Sequence, residues 1–198
     1  MQPPEQARER ARIRASIAAR RRQLDPAWVA AVGAALQGHA LAWPPLAAAR
    51  CVGLYLAQAH EAPTAEIAAG LAANKAVLCV PRWRAAARAY EWARWRPGAA
   101  LRAGPAAIAE PARRAPPAVP PDVVFVPVVA VDRAGHRLGH GAGHYDRLLA
   151  DSRAVHVALA FAFQVVPELP AAPWDVPMHW LVTEDGAAET TPSYEPQP

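Results

Sequence analysis

The sequence predicts an α/β fold: a single three-layer α/β/α domain around a largely parallel central sheet. Three observations carry that expectation. Short apolar runs with strand composition alternate with longer alanine-rich runs with helix composition. One of the former, Val123-Val124-Phe125-Val126-Pro127-Val128-Val129-Ala130-Val131, is long and β-like. A glycine-rich stretch, Gly135-His-Arg-Leu-Gly-His-Gly-Ala-Gly143, separates that run from a short helix-like segment, His144 to Ala150, so the local order is strand, loop, helix.

Taken in order, residues 5–22 read as a helix rich in alanine and arginine, with Ile13, Ile17 and Leu24 as a narrow apolar stripe. Asp25-Pro26 has the form of an N-cap followed by proline at the first helical position, opening a second helix to about Leu41 that Pro44-Pro45 breaks. Cys51 to Leu56 is a strand, and Ala57 to Thr64 a loop whose threonine caps a helix over Ala65 to Ala73. Val77 to Pro81 is a strand, and Ala89 to Trp95 alternates as a half-buried strand whose tryptophans are expected in the core. Pro111 to Pro121 reads as an exposed proline-rich connection. Val155 to Phe161 is a strand in which His156 is a core or edge histidine, and Trp180 to Thr183 is the last strand. The domain is expected to span residues 1–186. Residues 187–198, polar and proline-rich, are expected to be a disordered tail.

Composition narrows the function. A chain of 198 residues can bury one substantial core. Its formal net charge of +4 is concentrated near the N-terminus, in Arg8, Arg10, Arg12, Arg14, Arg20, Arg21 and Arg22. Such a patch suits nucleic acid or a polyanionic small ligand. The arginines lack interleaved aromatics and no RNA-binding motif is present, so small molecules are expected as partners rather than nucleic acid. Cys51 and Cys79 sit in apolar strand-like runs and read as buried, reduced thiols. There is no signal-peptide pattern and no segment apolar enough to span a bilayer. The expectation is a cytoplasmic monomer.

The glycine loop is the chemical centre. Gly139, Gly141 and Gly143 leave no side chain between a ligand and the backbone. Glycine also tolerates the positive φ angles that turn successive N–H groups toward one point. A helix start adds further unpaired donors, and the natural occupant of such a cradle is phosphate. Arg137 is expected at its mouth, free to fork onto phosphate oxygens. Asp146 lies just beyond, where a carboxylate could hold Mg²⁺ on that phosphate. The spacing is neither that of a P-loop nor that of the dinucleotide fingerprint.

The run Val-Asp-Arg-Ala-Gly-His-Arg-Leu-Gly-His-Gly-Ala-Gly-His-Tyr-Asp-Arg, residues 131–147, resembles the signature of the 5-formyltetrahydrofolate cyclo-ligase (methenyltetrahydrofolate synthetase) family, approximately Asp-x-x-Gly-x-Arg-Leu-Gly-x-Gly-x-Gly-Tyr-Tyr-Asp. Arg137, Leu138, Gly139, Gly141, Gly143, Tyr145 and Asp146 match, while His144 replaces an aromatic residue. The similarity extends from Arg10 to Glu184. Near the N-terminus, Arg10, Ile13 and Arg14 stand where the family has Lys-x-x-Leu-Arg. Tyr55, Leu56, Glu61 and Thr64 follow its aromatic–apolar–Glu–Thr order. Gly104 to Pro111 resembles its Gly-Ile-x-Glu-Pro turn, with Ala107 in place of glycine. Trp174-Asp175 replaces a His-Asp pair.

The resemblance implies a fold similar to the sugar-phosphate isomerase and CoA-transferase group. It implies ATP- and Mg²⁺-dependent cyclisation of 5-formyltetrahydrofolate to 5,10-methenyltetrahydrofolate, with release of ADP and phosphate. ATP would be held by Arg10, Arg14 and the run Arg137, Leu138, Gly139, His140, Gly141, Ala142, Gly143, His144 and Tyr145. The folate would meet Leu56, Glu61 and the stretch His140 to His144, and Asp146 and Asp175 would hold the metal. Protonated His144 beside phosphate would add a pH dependence between about 6 and 8. No covalent nucleophile is implied. The departures at Arg10, Ala107, His144 and Trp174 leave a second reading open, a non-catalytic folate- or nucleotide-binding relative. Whether Asp146 and Asp175 can share a cation discriminates the two.

Overall fold

The computed structural model of the chain describes residues 4–105, 108–112 and 114–191; Ala107, singled out above, lies outside them. Its helices are α1 (Pro4–Arg22), α2 (Pro26–Ala42), α3 (Ala65–Ala73) and α4 (His144–Leu149). Its strands are β1 (Cys51–Gly53), β2 (Val77–Arg84), β3 (Ala89–Trp95), β4 (Leu101–Ala103), β5 (Ala109–Pro111) and β6 (Val123–Pro127), followed by β7 (Ala130–Val131), β8 (Arg137–Leu138), β9 (Val155–Leu159), β10 (Trp180–Thr183) and β11 (Gly186–Glu189). Seven strands form the central sheet in the order β11-β10-β9-β6-β1-β2-β3. Pairing from β10 through β9, β6 and β1 to β2 is parallel, and an antiparallel hairpin closes each edge.

Alternation along the inner strands builds a core on each face. Val123, Phe125, Val157 and Leu159 pack with α2 and α3. Val124, Val126 and Ala158 pack on the other side with Leu149 of α4. A strand buried on both faces must be apolar throughout, which is why the 123–126 run has no polar residue. Asp25 caps α2, its carboxylate accepting the Ala27 N–H at 2.7 Å. Among the described residues no helix is long and apolar enough to cross a membrane.

Four local expectations are corrected. The run 123–131 is two strands: Pro127 ends β6, and the Val128 carbonyl turns away to accept from Arg21 and Gln164, both at 2.8 Å. Thr64 precedes α3 but makes no side-chain cap; its hydroxyl donates to the Tyr55 carbonyl at 2.8 Å and fixes the loop instead. Residues 187–189, expected in a tail, are strand: Gly186–Glu189 pairs with β10 through a tight turn. Beyond it Thr190 is buried and donates to the Met178 carbonyl at 2.7 Å. The Asp185-Gly186 dipeptide, with Gly186 at φ 138°, was the available hairpin signal. The remainder of that tail, 192–198, lies outside the described residues. Finally, the run of strand from Cys51 stops at Gly53. A Cβ there would meet the Trp92 ring at 2.9 Å, so the glycine lets that indole lie across the sheet, in the core as expected.

Candidate functional site

The stretch leading to the glycine loop is shaped by Asp132. Its buried carboxylate accepts the N–H groups of His136 and Leu169, each at 2.9 Å, and the His136 ring at 2.9 Å. Gly135 turns the chain at φ 88°, and a Cβ there would sit 2.3 Å from the Met178 carbonyl oxygen. The spaced Asp and Gly of the motif are thus a turn-forming pair that aims β8 at the pocket.

Past β8 the backbone opens. Gly141 and Gly143 adopt φ 100° and 63°, conformations in which an L side chain is strained. The N–H groups of residues 140–143 have no acceptor among the described residues, so four donors remain for a ligand. Because α4 has only six residues, the anion preference rests on these N–H groups more than on a helix dipole. Arg147, one turn into α4, donates to the Ala142 carbonyl at 2.9 Å and lies 2.9 Å from His144 Nδ1, clamping the loop. The three-residue spacing of Arg147 from His144 on one helix face is the sequence signal for this contact.

These features line one pocket of about 960 Å³. Arg10 and Arg14 of α1 form one wall, and Arg14 Nε donates to the Gly139 carbonyl at 2.8 Å. Burial works against the Arg14 charge and neighbouring Arg10 adds to that, offset by Asp175. Leu56 and Glu61 come from the loop after β1, and Tyr90 from β3 adds an aromatic wall that was not anticipated as such. Glu61 Oε2 accepts the Gln58 N–H at 2.9 Å, and Oε1 lies 3.8 Å from His140 Nε2. Burial would raise the Glu61 pKa, but the His140 contact, the Gln58 N–H and nearby Arg21 outweigh it and hold the carboxyl below its ordinary value. Tyr145 faces the pocket with its phenol pushed well up by burial and by Glu61, so it is a neutral hydroxyl.

Asp146 and Asp175, distant in sequence, meet here. The N–H of Val176, next to Asp175, donates to Asp146 Oδ1 at 3.4 Å, and both aspartates line the pocket and act on the Arg137 charge. Two carboxylates beside a phosphate cradle suit Mg²⁺, which takes few protein ligands and completes its shell with phosphate and water. No group of three or more His, Cys, Asp or Glu side chains that could hold a metal ion occurs among the described residues.

Three expectations about the site change. Arg137 is not free at the mouth: it is 6% exposed and paired to Asp146. Burial disfavours its charge, and Asp146 and Asp175 offset that cost. Leu138 leaves the pocket altogether. Strand alternation turns its side chain into a core with Ile17, Val129 and Leu169, and its carbonyl accepts the Val129 N–H at 2.7 Å. His144 does line the pocket, edge-on to Tyr90 at 5.0 Å and Trp83 at 5.9 Å. Burial and the Arg147 charge lower its pKa below the ordinary value, so the protonation expected beside bound phosphate would have to start from a lowered pKa.

The chain is 29% identical over 185 residues to the 5-formyltetrahydrofolate cyclo-ligase of Escherichia coli K12, covering 84% of this chain and 96% of that one. It is 41% identical over 101 residues to the enzyme of that name from Mycolicibacterium smegmatis, covering 47% of this chain and 50% of the relative, so that alignment spans only half the relative's length. A 45% identical match from Haemophilus influenzae spans 29% of this chain and 32% of that protein. The solution structure of Aquifex aeolicus 5,10-methenyltetrahydrofolate synthetase superposes with a TM-score of 0.81 at 26% identity, covering 96% of both chains. The Mycoplasma pneumoniae synthetase, at 18% identity and TM-score 0.72, covers 88% of this chain and 98% of its own and shares the fold. Residues 6–184 match the profile of the 5-formyltetrahydrofolate cyclo-ligase family, and the chain belongs to that family.

Proposed function

We propose that the protein catalyses the ATP- and Mg²⁺-dependent closure of 5-formyltetrahydrofolate to 5,10-methenyltetrahydrofolate. The observation that carries this reading is that one pocket gathers the loop N–H groups of residues 140–143, which have no acceptor among the described residues, with Arg10, Arg14, Arg137, Asp146, Asp175 and the half-buried Glu61. The formyl oxygen attacks the γ-phosphorus of ATP, and ADP leaves with the bond electrons. N10 then adds to the activated formyl carbon, its proton passes to solvent, and the carbon–oxygen bond breaks to release phosphate. No protein nucleophile is needed, so catalysis is positioning and charge neutralisation.

Arg10, Arg14 and Arg137 balance the polyphosphate charge, and the N–H groups of residues 140–143 cradle it. Asp146 and Asp175 would hold Mg²⁺, which supplies further neutralisation of the phosphate oxygens when bound. Glu61 accepts the paired donors of the pterin edge, and Leu56, Tyr90 and Tyr145 surround the ring. The reading takes the chain as a cytoplasmic monomer acting on small molecules. The test is direct: protein, 5-formyltetrahydrofolate, ATP and Mg²⁺ should develop methenyl absorbance, and each component should be required. Binding of both ligands without any absorbance change would instead establish a non-catalytic relative.

A further inference from the structure

Both oxygens of Asp175 are engaged by protein donors, and at Asp146 Oδ1 is engaged while Oδ2 has no partner among the described residues. Arg10 Nη1 lies 2.5 Å from Asp175 Oδ2 and Nη2 lies 3.3 Å from Oδ1, a two-pronged pair with side chains 11% and 9% exposed. Asp175 Oδ2 also accepts the Ala172 N–H at 2.9 Å. Asp146 Oδ1 accepts from Arg137, whose guanidinium is more deeply buried still. Each lone pair facing an arginine is lost to a hard cation, and each guanidinium repels one. With Arg14 alongside, the three guanidinium charges exceed the two carboxylate charges at this end of the pocket. A bare dication adds to that excess, whereas a cation–polyphosphate complex, net anionic, cancels it.

We propose that Arg10 and Arg137 are exchange partners that make the site selective for the cation–polyphosphate complex and closed to the free cation. This rests on the assignment of Asp146 and Asp175 to the metal. Phosphate oxygens give each guanidinium a substitute acceptor of matching geometry, so leaving the aspartate costs the arginine no partner. The same movement uncovers the carboxylate oxygens for the metal. The two arginines differ in what limits them. Arg10 sits on α1, whose Ile13 and Ile17 anchor the helix independently of the ion pair. Arg137 is on β8 in the interior, and its Nε is buried with no partner, an unspent donor that an arriving phosphate oxygen could take. Selectivity of this kind makes the nucleotide the carrier of the metal and excludes a metal-first order of binding.

The experiment is Mn²⁺ titration at pH 7.5, read by water-proton relaxation, which rises when the ion becomes protein-bound. Wild-type protein with Mn²⁺ alone is expected to show no enhancement below about 1 mM, and strong enhancement when a non-hydrolysable ATP analogue is added. Arg10→Met should bind Mn²⁺ alone at least about tenfold more tightly than wild type. Arg10→Gln provides the same test with a polar replacement should the methionine variant fold poorly. Adding Asp175→Asn to either variant should abolish the gain, locating the ion at the freed carboxylate. Wild-type protein that binds Mn²⁺ alone as tightly as the Arg10 variants overturns the proposal. Failure of the metal assignment itself looks different: no enhancement in wild type even with the ATP analogue.

Discussion

Replacing Glu61 with glutamine removes one charge from the pocket and almost nothing else. The amide oxygen can still accept the Gln58 N–H, now made by Oε2 at 2.9 Å, so the loop should keep its shape. On the proposed function, what is lost is the anionic acceptor for the paired donors of the pterin. A hydrogen bond to a charged group contributes roughly 1.5–3 kcal/mol. The Glu61 side chain is 13% exposed, so little water can replace the lost interaction, and the upper part of that range applies. Affinity for 5-formyltetrahydrofolate should therefore fall by roughly 50- to 150-fold. Affinity for ATP, held across the loop by arginines, should change by less than about twofold. The pH dependence has a definite sign. Because the folded pKa lies below the ordinary value of 4.5, the charge is fully present at neutral pH. Its contribution disappears only as pH falls through that depressed pKa, so wild-type folate affinity should not vary with this group between pH 6 and about 8. Calorimetric titration of each ligand separately, in wild type and Glu61→Gln, measures both numbers. Equal weakening of folate and ATP, or a loss of folding stability as large as the loss of affinity, refutes the assignment of Glu61 to the pterin.

Other consequences can be checked as directly. Asp146→Asn and Asp175→Asn should abolish turnover and also lower the melting temperature, since each leaves a buried arginine without its counter-charge, and excess EDTA should silence the wild type; activity that survives EDTA removes the metal from the scheme. His144→Tyr should remain active, and the Michaelis constant for ATP plotted against pH from 6 to 8 should superimpose on wild type, because burial and Arg147 lower the imidazole pKa. A wild-type ATP affinity that falls with rising pH, absent in the variant, would show that the ring is protonated beside phosphate after all. His156, stacked on His179 at 4.9 Å with Nε2 unpartnered, has a pKa driven down to about 4 by burial, partly offset by the Pro177 carbonyl. The unfolded chain takes up this proton near pH 6.5 and the folded protein only near 4, so stability falls as pH drops across that interval, by roughly 3 kcal/mol in full. Urea denaturation of wild type and His156→Gln at pH 7 and pH 4.5 should show a smaller acid loss in the variant, and equal losses would refute the burial argument.

Much of the fold was legible because it rests on local chemistry. Asp25-Pro26 caps α2 through a contact two residues long, and Ala89–Trp95 forms the half-buried strand that its aromatic composition suggests. The glycine loop was legible for the same reason, since positive φ at Gly141 and Gly143 is a property of the residue type. The family's motif likewise pointed to Glu61, Asp146 and Asp175 as members of one site. Their meeting in space is a tertiary fact, made by the parallel order of β9, β6 and β1 and by the return of the chain through residues 170–176. Sequence could not decide which partner a charged group takes when two compete. Arg137 and Arg10 were expected to wait for phosphate, and the fold pairs them with the aspartates because a buried guanidinium must find an acceptor. Nor could it decide the direction of Leu138, which depends on where β8 meets β7, or the protonation of His144, which depends on Tyr90, Trp83 and Arg147 closing around the ring. Residue type sets what each group can do; only packing sets the dielectric and the neighbours that choose among those options.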